Sequence, residues 1–300
     1  MKRALLTGIT GFIGLNLGKA LVQDGWDVYG IVRETSKVER VEQELGDKVT
    51  LLIHGKEQDL NAIVAKVKPD VVFHLASVFL SSHTYNDISP MIASNVTFGT
   101  ELLEAMAANG VKNFVNTGTS WQHYNNEDYN PVNLYAASKQ AFLDIIRYYQ
   151  EAQNVKVINL ELFDTYGPGD PRRKLFALLK EISETHETLK MSKGEQLIDI
   201  VYIADVVSAF VLAGNYLLDG DYDKCGTYAV SSGQAIPLRE LVVKFAEISG
   251  RELNIEWGAR PYRDREVMKP WHTGKYLSGW KVKYSLKVGL LKFFHTLTSF

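Results

Sequence analysis

The sequence predicts an α/β protein with a doubly wound parallel sheet and a smaller C-terminal lobe. Short apolar runs that suit buried strands alternate with segments of helical periodicity through much of the chain. Such alternation is typical of βαβ units, in which a helix connects two parallel strands. A glycine-rich turn separates the first strand from the first helix, and 300 residues with 46% hydrophobic content can bury a large core.

The first of these units predicts a phosphate cradle. The apolar run at residues 4–6 predicts a buried strand, and the apolar-periodic stretch behind the glycines predicts a helix that ends near Asp24. Glycines let the backbone turn sharply and approach a pyrophosphate, and a helix N-terminus offers free N–H groups to an anion. A tight turn without a ligand is the alternative. The predicted cofactor contacts of this segment are Gly8, Thr10, Gly11, Phe12, Ile13 and Gly14.

The second strand, predicted at residues 27–32, bears on the choice of cofactor. An acidic residue at the end of this strand would hold the free 2′-hydroxyl of NAD, whereas an arginine accommodates the 2′-phosphate of NADP. Arg33 stands there, with the hydroxyls of Thr35 and Ser36 close behind. The neighbouring acidic residue Glu34 would instead favour NAD. The sequence therefore favours NADP(H) over NAD(H).

Further strands are predicted at residues 49–53, 71–77 and 111–116, with helices at 60–67 and 92–108 between them. The strand at 71–77 is almost continuously apolar, as a parallel strand buried on both faces should be. His74 within it is therefore interpreted as a core histidine and not as a catalyst.

Tyr135 and Lys139 form the predicted chemical centre. They stand four residues apart in a segment of helical periodicity, so they share one face of a helix. A tyrosine is a poor acid–base group at neutral pH unless a nearby positive charge favours its phenolate. We expect Lys139 to supply that charge and also to bind the cofactor. An inconsequential pair on an amphipathic helix is the alternative.

Together, the segment from Thr7 to Gly14 and the Tyr135–Lys139 pair resemble the extended short-chain dehydrogenase/reductase superfamily, specifically the NAD(P)-dependent sugar-nucleotide epimerases and dehydratases. The resemblance implies a Rossmann-type sheet and a sugar-nucleotide substrate bound by the C-terminal lobe. It implies that Thr119, with Ser120 in reserve, binds the substrate carbonyl. It also implies that one segment runs under the cofactor, namely Leu75, Ala76 and Ser77.

On the substrate side, the chain departs from the family pattern at three positions. Asp164 stands where the family has asparagine, while Glu161 and Ile198 stand where it has arginines. The resemblance still implies a set of substrate contacts in this chain: Thr119, Ser120, Asp164, Lys174, Arg263 and Glu266. Domain boundaries follow from it as well, with a dinucleotide-binding domain at residues 1–170 and about 195–232 and a substrate lobe at about 171–194 and 233–300.

Ser120 and Trp121 stand where the resembling 4,6-dehydratases carry an Asp-Glu pair, which argues against a dehydratase. The sequence therefore predicts an NADPH-dependent reductase of a dTDP-, CDP- or GDP-linked 4-keto-6-deoxyhexose in deoxysugar biosynthesis. One alternative is a 4-epimerase with retained NAD. Another is a catalytically silent nucleotide-binding protein, which the three departures keep open.

Composition narrows the classes of partner. The net charge is −2 without a long run of one sign, so neither a nucleic acid nor a membrane surface is an expected partner. The one cysteine, Cys225, excludes a disulfide framework, and no metal site is predicted. The chain is expected in the cytoplasm. The family resemblance implies a homodimer through the helices at 92–108 and 134–153.

Overall fold

The computed structural model describes residues 2–55 and 58–295. Its centre is a seven-stranded sheet whose neighbouring strands are all parallel, in the order β11-β6-β5-β4-β1-β2-β3. From β1 the chain builds outward to β3 and then crosses back to build the other half, which is the predicted doubly wound arrangement. The strands in chain order are β1 Arg3–Thr7, β2 Asp27–Arg33, β3 Val49–His54, β4 Val71–His74, β5 Asn113–Thr119, β6 Lys156–Leu162, β7 Asp164–Tyr166, β8 Leu189–Met191, β9 Leu197–Ile198, β10 Ile200–Tyr202, β11 Gly226–Val230, β12 Ile236–Pro237 and β13 Ile255–Trp257.

Helices cover both faces of this sheet. Helices α1 and α8 pack against each other on one face, and α3, α5 and α6 form the layer on the other. The helices in chain order are α1 Phe12–Gln23, α2 Glu39–Leu45, α3 Leu60–Val67, α4 Ile88–Ile92, α5 Phe98–Ala108, α6 Leu134–Gln153, α7 Leu175–Thr185, α8 Ile203–Leu218, α9 Leu238–Ser249 and α10 Leu286–His295. Within the described residues, no helix combines the length and apolar character that crossing a bilayer would need.

The apolar strands of the sheet divide their side chains between two cores. In β1, Ala4 and Leu6 belong to the core under α1 and α8, whereas Leu5 belongs to the core on the opposite face. Successive side chains of a strand point to opposite faces, so a strand with a helical layer on each side must be apolar at nearly every position. This explains the continuous apolar runs in the sequence.

Two elements differ from their predicted bounds. The strand predicted at 71–77 ends at His74. Beyond it, the Leu75 N–H donates to both Thr7 O at 3.3 Å and Thr7 Oγ1 at 3.1 Å, and the Ala76 N–H donates to Thr7 Oγ1 at 3.1 Å. The helix predicted at 92–108 begins earlier, at Ile88, and includes a π-helical turn at Ala93–Thr97.

Three small two-stranded sheets lie outside the central sheet. They pair β7 with β10, β9 with β12 and β8 with β13. The last pair joins the two stretches of sequence that were assigned to the substrate lobe. The boundaries of that lobe remain a prediction, and residues 1, 56–57 and 296–300 of the predicted domains lie outside the described residues.

Candidate active site

The glycine-rich turn after β1 brings three backbone segments into close contact. Gly8 has a φ of +73°, and a Cβ at this position would lie 2.7 Å from the backbone nitrogen of Ala76. A Cβ on Gly14 would collide with the carbonyl oxygen of Gly8. The turn is closed by Gly11, whose N–H donates to Gly8 O at 3.0 Å. Side chains at positions 8 and 14 therefore cannot be added without moving the backbone.

The N-terminus of α1 is open to a ligand. Its N-cap residue is Gly11, which offers no side-chain cap, and the first turn contains no acidic residue. Several N–H groups of the first turn consequently lack a protein acceptor, and the positive end of the helix dipole lies beside them. Thr10, Phe12 and Ile13 lie on this turn. The residues present thus fit the pyrophosphate of a dinucleotide.

Arg33 is the exposed last residue of β2. Its backbone N–H donates to Ser36 Oγ at 2.9 Å, which holds the following turn tight. Its guanidinium makes no hydrogen bond or ion pair with any residue that the structure describes. The group predicted to meet a 2′-phosphate is therefore exposed and uncommitted.

Thr7 and His74 support the segment that was predicted to run under the cofactor. The Thr7 hydroxyl accepts from Leu75 and Ala76, so its own proton is directed to His74 Nδ1, 2.9 Å away. His74 is fully buried and its Nε2 has no partner among the described residues. Burial and the charge of Lys139 lower the pKa of His74 to about 3. His74 is thus a neutral core residue, as the sequence predicted.

Because the folded pKa of His74 is below the unfolded value, the protein should lose stability in mild acid. The unfolded chain takes up a proton at this histidine below its ordinary pKa, given as 6.5, and the folded chain does not until about 3. The contribution is fully present above the unfolded pKa and is lost as the pH falls. We expect about 2 kcal/mol to be lost near pH 5. Denaturant unfolding of wild type and His74→Gln across this range should show a shallower acid slope in the variant; equal slopes would contradict the assignment.

The structure brings Tyr135, Thr119 and Ser77 together. The side chains of Ser77 and Thr119 lie close enough to the Tyr135 hydroxyl to lower its pKa, while Lys139 follows one turn later on α6. Lys139 is 2% exposed and has no hydrogen-bond acceptor in the described part of the chain. A largely buried lysine whose ammonium group makes no hydrogen bond to a described residue fits a site that is completed by a ligand with hydroxyl groups.

The pKa of Tyr135 differs from the sequence-based expectation. Burial raises the pKa of Tyr135 to about 12, and this outweighs the hydrogen bonds of Ser77 and Thr119 and the charge of Arg172, all of which lower it. Among the charged side chains, Arg172 lowers the pKa of Tyr135, whereas burial lowers the pKa of Lys139 itself to about 8. At neutral pH this tyrosine is a proton donor and the lysine is still mostly charged.

Several side chains fix the position of the site. Asn95, in the π-helical turn, accepts from Ser77 Oγ at 3.1 Å and donates to Ser138 Oγ at 3.0 Å, which connects the segment after β4 to α6. Gln122 accepts from Thr119 N–H at 3.1 Å and donates to a glutamine on α6. The end of β5 is therefore held against the helix that carries Tyr135.

A cavity of about 590 Å³ adjoins this centre. It contains three of the predicted substrate residues, namely Asp164, Lys174 and Arg263. Lys174 Nζ lies 3.3 Å from Asp164 Oδ1. Phe79 and Trp121, which the sequence analysis did not identify as binding residues, also line the cavity. The Phe79 ring packs edge-on against the Tyr135 ring with centroids 4.9 Å apart, and the centroids of the Trp121 and Phe79 rings are 5.5 Å apart.

A smaller cavity of about 70 Å³ shares Trp121, Asp164 and Arg263 with the first. It adds two further predicted substrate residues, Ser120 and Glu266. Glu266 accepts two hydrogen bonds from the Arg263 guanidinium, at 3.0 and 2.8 Å. Five of the six predicted substrate residues thus line two adjoining cavities, and Thr119 lines neither of them. Among the described residues, no cluster of histidine, cysteine and carboxylate side chains could hold a metal ion.

The sequence analysis missed an acid–base pair, His123 and Glu161. Their atoms Nε2 and Oε2 are 2.9 Å apart, and Glu161 is 1% exposed on β6. A Cβ on Gly118, which lies opposite Glu161 in the sheet, would be 2.7 Å from Glu161 Cγ. His123 Nδ1 also faces the carbonyl oxygen of Glu127 at 3.1 Å, so neither ring nitrogen is free for catalysis. The available signal was a carboxylate within an apolar strand, which requires a partner.

Comparison with known proteins identifies relatives over the whole chain. A model of the NAD dependent epimerase/dehydratase family matches residues 4–222. The CDP-abequose synthase of Salmonella muenchen is 27% identical, with 97% of this chain and 96% of that protein covered. The UDP-glucose 4-epimerase of Mycolicibacterium smegmatis is 29% identical, with 97% of this chain and 96% of that protein covered. The UDP-glucuronic acid 4-epimerase of Bacillus cereus, solved with UDP-glucuronic acid and NAD, superposes with a TM-score of 0.84 at 21% identity and 99% coverage of both chains.

Proposed function

Because the chain belongs to the NAD dependent epimerase/dehydratase family, we propose that it reduces the 4-keto group of a CDP-linked 4-keto-6-deoxyhexose with NADPH. The observation that carries this proposal is the buried, protonated hydroxyl of Tyr135, which lies beside the hydroxyl of Thr119. The similarity to CDP-abequose synthase over nearly the full length favours CDP among the possible nucleotides.

In this reaction Thr119 binds the carbonyl oxygen and holds it next to Tyr135. The chemistry that NADPH would supply when bound is the hydride for the carbonyl carbon. Tyr135 donates its proton to the oxygen as negative charge develops there, so the carbonyl becomes a secondary alcohol. Lys139 binds the ribose of the cofactor, and its positive charge assists the loss of the proton from Tyr135.

The residues next to Thr119 favour reduction over dehydration. Elimination of water needs a carboxylic acid and a carboxylate near the sugar, and Ser120 and Trp121 supply neither. Trp121 presents an aromatic face to the cavity instead. Arg33 ends β2 with an exposed guanidinium that makes no hydrogen bond or ion pair with the described residues, which supports NADPH as the cofactor that the enzyme takes up and releases.

We expect the purified protein to oxidise NADPH when it is given a CDP-linked 4-keto-6-deoxyhexose. Absorbance of the reduced nicotinamide would be followed with NADPH and NADH separately, against dTDP-, CDP- and GDP-linked substrates. Turnover at least about tenfold faster with NADPH and the CDP-linked sugar is the expected result, since a bidentate arginine–phosphate contact contributes more than about 1.4 kcal/mol. If a dTDP- or GDP-linked sugar were reduced faster, the proposed reductase activity would stand and the proposed nucleotide would be wrong.

A 4-epimerase is the second candidate, and the 29% identity to a UDP-glucose 4-epimerase favours it. Such an enzyme would retain NAD through purification and interconvert two sugar nucleotides without added cofactor. Retained NAD together with epimerisation would replace the reductase proposal. Cofactor binding without turnover of any sugar nucleotide would instead indicate a silent nucleotide-binding protein.

A further inference from the structure

Two segments that are distant in sequence are joined along one side of the substrate cavities. The first, the β5 loop, comprises residues 120–130 and follows Thr119 directly. The second, the C-terminal segment, comprises residues 263–273 and carries the predicted substrate residues Arg263 and Glu266. The position of these two residues relative to the catalytic hydroxyls therefore depends on how the two segments are held together.

Contacts between the two segments occur along their whole length. The Arg265 guanidinium lies 4.2 Å from the centre of the Tyr124 ring and also hydrogen-bonds Asn130 Oδ1. Further along, Asn126 Oδ1 accepts from the His272 N–H at 3.0 Å. Arg265 and Asn126 both have positive φ, at 56° and 61°. Such conformations cost free energy in non-glycine residues and persist where surrounding contacts hold them.

His123 makes the central contact. Its ring stacks on the indole of Trp271 with centroids 3.9 Å apart and an interplanar angle of 15°. Trp271 lines the smaller cavity with Arg263 and Glu266. Both nitrogens of His123 face acceptors, Glu161 and the carbonyl oxygen of Glu127, and two acceptors can be satisfied together only by the doubly protonated ring. A cation stacked on an indole is a favourable contact.

We propose that His123 is a positioning residue: as an imidazolium held by Glu161, it fixes Trp271 and thereby seats the C-terminal segment against the β5 loop for substrate binding. The part that concerns substrate rests on the proposed function. His123 itself touches no reacting atom, because both of its nitrogens and one ring face are occupied.

The proposal makes substrate affinity depend on pH. The groups that face His123 are the Glu161 carboxylate on β6, the backbone of Glu127 and Asp128 in its own loop, and the uncharged Trp271. Burial lowers the pKa of His123, but Glu161 outweighs it, so the pKa is raised above its ordinary value. The imidazolium is thus favoured by its surroundings and is lost as the pH rises through this raised pKa.

The kinetic test compares wild type with His123→Gln. In wild type, KM for the sugar nucleotide should rise about tenfold between about pH 6.5 and pH 9, because the stacked cation is lost. In His123→Gln, KM should already be high at the lower pH and should not change with pH, while KM for NADPH matches wild type. His186→Asn is the matched control: it removes an exposed histidine at the end of α7, where the positive φ suits asparagine, and should behave as wild type.

A measurement without substrate separates this proposal from the proposed function. Amide hydrogen exchange in residues 263–273 should be several-fold faster in His123→Gln than in wild type near pH 6.5 and similar in both near pH 9. This result would support the positioning role even if the reductase assay fails. Equal exchange at both pH values, or KM of the variant following the wild-type pH curve, would overturn the proposal.

Discussion

Tyr135→Phe is expected to lower kcat of the reduction by about a thousandfold. Burial raises the pKa of Tyr135 to about 12, so its hydroxyl is protonated at neutral pH and is the donor next to Thr119. The phenylalanine ring would keep the edge-on contact with Phe79 and would remove only the hydroxyl. The measurement is kcat under saturating substrate, with cofactor affinity determined separately by fluorescence titration and expected to remain within about threefold of wild type.

The matched control for this variant is Tyr149→Phe. Tyr149 lies on the same helix, is buried, and donates its hydroxyl proton to Glu104 Oε2 at 2.8 Å on the side away from the substrate cavities. Loss of this hydrogen bond in Tyr149→Phe should lower the free energy of unfolding by about 1 kcal/mol without a change in kcat. Tyr135→Phe with wild-type kcat would exclude Tyr135 as the proton donor and would redirect attention to Ser77 and Thr119.

Gly14→Ala is expected to lower cofactor affinity by at least about a hundredfold. The new Cβ would collide with Gly8 O, which is backbone and cannot rotate away, so α1 must move from the turn. Displacement of the helix N-terminus removes the N–H groups that face the pyrophosphate. Overpacking of this kind costs about 3 kcal/mol, a fall in Tm of about 6–12 °C. Cofactor titration and thermal unfolding would measure both effects.

The control is Gly18→Ala, one turn later in α1. It tests whether the losses of cofactor affinity and Tm arise from any added side chain in α1 or specifically from the one at position 14. The atom nearest to a Cβ at Gly18 would be the end of the Leu45 side chain, at 3.3 Å, and side-chain atoms of Ile9 would follow at 3.6 and 3.7 Å. Alanine also favours a helix interior by about 1 kcal/mol over glycine. Cofactor affinity should therefore be unchanged and Tm should shift little. If Gly14→Ala behaved like Gly18→Ala, the close approach of Gly8 and Gly14 would not be required for binding.

Elements that are determined by local sequence could be predicted closely. The helix at 60–67 was placed at its observed bounds, and its N-cap is the neighbouring side chain of Asp59. The helix at 134–153 likewise begins after the capping side chain of Asn133. By contrast, the early end of β4 depends on hydrogen bonds from Leu75 and Ala76 to the hydroxyl of Thr7, which is distant in sequence. The α/β class follows from periodicity, whereas such a contact requires the assembled sheet.

The same distinction applies to the candidate site. Tyr135 and Lys139 could be identified because their spacing is a local property of one helix. The pKa values of these side chains could not be predicted from the sequence, because they depend on burial. Lys139 was expected to lower the pKa of Tyr135, but burial has the largest effect and raises it. The contact of Phe79 with Tyr135 joins residues more than fifty positions apart, which no pattern in a single sequence shows.

The Glu161–His123 pair restricts which residues positions 118, 123 and 161 can hold together. Glu161 fits because Gly118 has no side chain and because His123 hydrogen-bonds to it, so the effects of substitutions at the three positions are not independent. Replacement of Glu161 by arginine would bring two cations together while His123 remains protonated. A series of substitutions that introduces arginine at position 161 should therefore first remove the charge at position 123. A library that grafts another substrate specificity onto this scaffold should vary the three codons jointly.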